Sequence, residues 1–109
     1  MPKYLIEREV PEAGNLLPEQ LRSMSEASRR VLDQMGPQIQ WVNSFVTDDR
    51  IYCVYIARDQ QMIREHATTC GIPLGRISEI RALIDPVTAE KQTGFQFDNQ
   101  PAVPEAVPT

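Results

Sequence analysis

Two runs of aromatic and β-branched residues, Ile39–Val46 and Arg50–Ala57, are separated only by the polar link Thr47-Asp48-Asp49. Such runs favour strands, and so short a link lets them do little but turn back on each other as an antiparallel hairpin. Helical patterns flank this hairpin on both sides. Upstream, Pro18 suits a first helical position and Glu19 the positive first turn. Leu21, Met24, Ser28, Val31, Leu32 and Met35 then recur at three- and four-residue spacings until Gly36-Pro37 stops the helix. Downstream, Asp59 suits the N-cap of a helix from about Gln60 to Cys70, ended by Gly71 and Pro73. Alternating outer strands are expected at Lys3–Glu9 and at Arg76–Ile84, the latter closed by Asp85-Pro86. The order strand, helix, strand, strand, helix, strand predicts an α+β, ferredoxin-like βαββαβ plait. Two right-handed crossovers would give a four-stranded antiparallel sheet with both helices on one face.

One flank of such a sheet is left bare. Large apolar groups there must be covered by a ligand, a tail or a second copy, so a homodimer through the open sheet face is expected. Parity assigns Tyr4, Ile6 and Arg8 to the helices and Leu5, Glu7 and Glu9 to the open face. Sending the more polar set outward places Ile51, Cys53 and Tyr55, and Ile77, Glu79, Arg81 and Leu83, on the open face as well. In the second strand either Trp41, Asn43 and Phe45 or Val42, Ser44 and Val46 face the helices, and a one-residue slip inverts any of these assignments. Periodicity fades after Pro86. Residues 1–90 are read as one domain, and 91–109, with Pro101, Pro104 and Pro108, as a C-terminal arm or mobile tail.

Charge narrows the partners. Eleven Lys and Arg against fifteen Asp and Glu give a net charge of −4, which argues against nucleic acid, whose phosphates need a cationic surplus. No apolar run is long enough for a membrane span, and the start Met-Pro-Lys-Tyr-Leu-Ile-Glu is too soon charged for a signal peptide. A cytoplasmic location is therefore expected, with Cys53 and Cys70 as thiols.

The stretches Lys3–Arg8, Ile39–Val46, Tyr52–Ala57, Ile63–His66 and Gly71-Ile72-Pro73 together resemble the small bacterial ferredoxin-like nickel-binding proteins. The resemblance runs from about Lys3 to Glu90. It implies a dimer that binds nickel; it carries no ligand set onto these residues, so candidate ligands are chosen by chemistry.

His66 is the single histidine and shares a stripe with Met62, Ile63, Ala67 and Cys70. It is either a partly buried imidazole bonded to a backbone carbonyl or a neighbouring carboxylate, or a metal ligand or general acid/base. Glu7 and Glu79 interrupt apolar strands that are neighbours in the plait. They are either members of an ion-pair ladder with Arg8, Arg76 or Arg81, or close carboxylates that recruit a cation. Cys53 is a small core hydrophobe or a thiolate ligand, and Cys70, at the negative end of its helix, is read as structural. Trp41, Phe45, Tyr52 and Tyr55 form an aromatic cluster that serves packing or walls a small flat ligand. The leading expectation is a dimeric divalent-metal-binding protein using His66, Glu7, Glu79 and Cys53. Nickel is favoured over zinc, copper or cobalt, and the role is binding or sequestration, not turnover. The alternatives are an isomerase- or monooxygenase-type enzyme with a cavity between the sheets of a dimer, or a non-catalytic dimerisation module.

Overall fold

A computed structural model describes residues 1–90; the tail assigned to 91–109 lies outside the described residues. The elements run β1 (Lys3–Glu9), α1 (Pro18–Met35), β2 (Ile39–Val46), β3 (Arg50–Ala57), α2 (Gln60–Cys70) and β4 (Ile77–Glu79), with single 3-10 turns at Ala13–Asn15 and Pro86–Ala89. The sheet order is β2-β3-β1-β4, every pair antiparallel, which is the ferredoxin-like plait. No helix among the described residues is long and apolar enough to cross a membrane.

The helix ends follow local chemistry. Leu17 N–H donates to Gln20 Oε1 at 2.8 Å, so a side chain three residues on supplies the acceptor that Leu17 lacks. Gly36 closes α1 with φ +86°. Asp59 caps α2 by accepting from Met62 N–H at 3.1 Å; this bond, reinforced by Arg58, holds the carboxyl below its ordinary pKa. Gly71 ends α2 in the left-handed region at φ +68°.

Register decides the faces, because residues directly opposite in an antiparallel pair share a side. Tyr4, Ile6 and Arg8 face the helices, as expected, and lie opposite Tyr55, Cys53 and Ile51. The β3 assignment is therefore corrected: Ile51, Cys53, Tyr55 and Ala57 are buried under the helices, while Tyr52, Val54 and Ile56 take the open face. Ranking residues by polarity failed because this covered layer also holds the buried polar side chains Arg8 and His66.

In β2 neither expected alternative holds. A bulge at Val42 interrupts the alternation, so Ile39, Trp41, Ser44 and Val46 lie opposite the helix-facing side of β3 and Gln40, Asn43 and Phe45 lie opposite its open side. The bulge is braced by Trp41 Nε1–H donating to Ser44 Oγ at 2.9 Å.

β4 is shorter than Arg76–Ile84 and its parity is also reversed. Ile77 lies opposite Ile6 and Glu79 opposite Tyr4, on the helix side, while Ser78 lies opposite Leu5 on the open face. Its ladder begins at Gly75, whose N–H donates to Glu7 O at 2.9 Å, and finishes with Ile80 N–H on Lys3 O at 2.8 Å. Beyond Lys3 the neighbouring strand has run out, so residues after Ile80 have no strand to pair with. Gly75 is required by close approach, since a Cβ there would sit 2.5 Å from Glu7 O. Arg81–Glu90 are exposed, including Leu83, Ile84 and Val87.

The core lies between the sheet and the helices: Tyr4, Ile6, Ile39, Ile51, Cys53, Tyr55 and Ala57 meet Leu32 from α1 and Met62 and Ile63 from α2. Of the stripe expected on α1 only Leu32 is buried; Leu21, Ser28, Val31 and Met35 are half-buried and Met24 is 39% exposed. The first half of α1 stands off the sheet, and the space beneath it is a cavity.

Candidate functional site

This cavity, of about 260 Å3, lies between α1 and the covered face of the sheet. The strands contribute Arg8, Trp41, Ser44, Ile51, Cys53 and Tyr55 to its wall. Leu21, Met24, Ser25 and Ser28 come from α1, and Cys70, Ile72 and Pro73 from the end of α2 and the segment after it. The wall is apolar apart from a few hydroxyls and thiols and one guanidinium.

His66 sits just behind that wall. Its place on the α2 stripe turns it inward, and it is fully buried. Its ring lies 5.5 Å from that of Tyr55, tilted by 55°. Nε2 is 3.2 Å from Ser28 Oγ, 3.4 Å from Ser28 O and 3.5 Å from Cys70 Sγ, while Nδ1 has no partner among the described residues. The tautomer with the proton on Nε2 lets it donate to the Ser28 carbonyl and leaves Nδ1 a bare acceptor, whereas the other tautomer would bury an unpaired N–H. Burial pushes the imidazole below its ordinary pKa; the Ser28 carbonyl opposes this and the nearby Arg8 charge adds to it. The ring is neutral at pH 7.

The same burial raises Tyr55, with Cys53 adding to the shift and Ser28 and Arg8 offsetting part of it. It also raises Cys70, against the pull of Arg8. Both keep their protons, and no Asp or Glu among the described residues lines the cavity.

Arg8 is the residue that sequence reasoning undervalued. It is only 3% exposed. Nη1 donates to Pro73 O at 2.7 Å, which ties β1 to the segment after α2. Nε and Nη2 are buried with no partner, and no carboxylate pairs with Arg8 among the described residues. The signal is present in β1, where a charged side chain falls on the same parity as Tyr4 and Ile6; the ladder alternative gives Arg8 only the role of one possible surface partner.

The expected metal donors do not converge. Glu7 is on the open face and pairs with Arg50 at 3.8 Å, and Glu9 reaches the same guanidinium at 3.7 Å. Glu79 is exposed at the far edge, on the helix side, and pairs with Arg81 at 3.2 Å. Cys53 is buried beside Tyr55, and His66 is held by Ser28. The ladder reading thus holds for Arg81 but not for Arg8. Among the described residues no three His, Cys, Asp or Glu side chains are grouped to hold an ion. His66 and Cys70 supply two donors, one fewer than even an open catalytic zinc site uses, and the Arg8 charge beside them disfavours a divalent cation. The donor set chosen from sequence therefore does not fit a metal within one chain.

The aromatic cluster is divided as well. Trp41 and Tyr55 line the cavity, while Phe45 and Tyr52 lie opposite each other on the open face with Leu5, Val54 and Ile56. Phe45 is 56% exposed, so the bare flank carries an uncovered apolar surface.

Fold and site together define a small α+β protein of the ferredoxin-like class, with one covered and one open sheet face. The family described as nickel responsive protein SCO4226-like matches residues 4–80, most of the chain, and the chain belongs to that family. Among solved structures, the crystal structure of SCO4226 from Streptomyces coelicolor A3(2) is similar with a TM-score of 0.65. It is 12% identical over 75% of this chain and 99% of that one, a likeness of fold. No curated protein matches the chain.

Proposed function

We propose that this chain is a nickel-responsive binding protein that acts as a homodimer and holds a divalent metal, nickel in preference to zinc, copper or cobalt, without turning over a substrate. The family match over residues 4–80 is the observation that carries this reading. The open face supports the dimer: Leu5, Phe45, Tyr52, Val54 and Ile56 form a patch that a second copy would bury, with the exposed Leu83, Ile84 and Val87 segment available to extend the contact. A dimer would also bear on the donor shortage, since Glu7 and Glu9 lie along β1 with their side chains toward or beside that face, and symmetry would duplicate them. Such a site would draw on carboxylates from both copies and not on His66 alone.

Two measurements test this. Sedimentation equilibrium should give a dimer at micromolar concentration, and a monomer would overturn the interface. Calorimetric titration of chelator-stripped protein with nickel chloride should show saturable binding that weakens in Glu7→Gln. The metal reading fails if nothing binds more tightly than roughly millimolar, about −4 kcal/mol. The enzyme alternative expects its cavity between sheets; the cavity found lies on the opposite, helix-covered side, and no carboxylate from the described residues lines it.

A further inference from the structure

The covered cavity has a chemistry of its own, independent of any metal. Burying a guanidinium is strongly unfavourable unless the charge is paired and its N–H groups are bonded. Arg8 satisfies only Nη1, on the Pro73 carbonyl. Nε and Nη2, the pair whose N–H bonds run side by side along one edge of the guanidinium, are buried without a partner of hydrogen-bonding geometry, and the Tyr55 hydroxyl is the polar group beside them. That edge matches the two oxygens of a carboxylate, with two parallel charge-assisted hydrogen bonds. A merely bracing role would need the Pro73 bond alone and would be served by a neutral donor.

The rest of the wall sets the body of the ligand. Met24 and Trp41 offer apolar and aromatic surface, and Tyr55 and Ser28 bring hydroxyls near the charge. At about 260 Å3 the space is just below the roughly 300–1,000 Å3 of typical ligand sites, so it suits a single ring or a short chain and not a nucleotide.

We infer that the cavity under α1 binds a small organic carboxylate with an apolar body, its carboxylate drawn to the Arg8 guanidinium where that side chain borders the cavity. The net charge of −4 gives no general attraction for anions, so binding rests on the local, desolvated contact and is weakly dependent on salt.

Trp41 is the single tryptophan and lines the cavity, which makes its emission a direct reporter. Phenylacetate should shift that emission saturably and raise Tm, while phenylacetamide, the same shape without the charge, should bind at least about tenfold more weakly. Arg8→Met removes the cation while keeping an apolar stem, and should lose the preference for the acid. Because that variant also removes the bond to Pro73, Ser25→Phe provides a second arm: it fills the cavity from α1, leaves Arg8 in place and should abolish the response. Inorganic phosphate alone should produce none. The inference is overturned if acid and amide bind alike, if Ser25→Phe still responds, if phosphate alone reproduces the shift, or if millimolar phenylacetate has no effect.

Discussion

The two helices share one face of the sheet but are held to it very differently. α2 is 11 residues long and buries Met62, Ile63, His66 and Ala67, whereas α1 is 18 residues long and buries Leu32 alone. α2 lies against β3 as part of the core. α1 touches down near its C-terminal end, against β2 and α2, and arches over the cavity in its first half. One helix holds the layer together, and the other shelters a space. Helix stability in a protein comes chiefly from packing an apolar face, so the difference is energetic as well as geometric.

The sharpest way to expose that asymmetry is truncation. Ile63→Ala removes a fully buried side chain from α2 and should cost about 3–5 kcal/mol in chemical denaturation. Leu32→Ala, the corresponding change on α1, should cost less, about 2–3 kcal/mol, because Leu32 lies at the margin of the core with 9% of its surface exposed. Equal losses would mean that α1 is as firmly seated as α2.

A third prediction follows from His66 on α2. Its folded pKa is lowered, so below the unfolded value of about 6.5 the unfolded chain binds a proton that the folded chain refuses. Stability should fall as pH drops below about 6.5, with a slope of at most about 1.4 kcal/mol per pH unit from this group. Replacing His66 with Leu should flatten that part of the curve; an unchanged slope would assign it to other groups. The smallest effect is expected on the arching half of α1. Met24→Ala should change stability by no more than about 0.5 kcal/mol, since the side chain is already 39% exposed. A loss of more than 1.5 kcal/mol, roughly what full burial of such a side chain is worth, would show that this half is seated on the sheet.

Much of the architecture was legible in residue order. Pro18, Gly36, Asp59 and Gly71 each impose a local conformation, and the bounds of both helices and the hairpin follow from them. The faces of the strands were less accessible. Tyr52 and Tyr55 are three residues apart and differ by half a pleat, so which one lies inside depends on the register of β3 against β1. The bulge at Val42 has no composition signal of its own, yet it puts Trp41 and Ser44 on the same side and makes the aromatic wall of the cavity. Sending the more polar set of each strand outward puts Glu7 and Glu79 on one face, but the register sets Glu79 opposite Tyr4 instead.

Periodicity and punctuation, which act within a few residues, were enough to define the elements and their order, and therefore the plait. Whether Arg8 meets a carboxylate, whether α1 closes on the sheet and which tyrosine lies inside are settled between segments up to 65 residues apart, as in the Arg8–Pro73 bond. These outcomes depend on cross-strand register and helix seating, which balance burial against unmet hydrogen bonds over the whole layer. That balance left a cation buried beside an apolar cavity, a juxtaposition that exists only once the chain is folded.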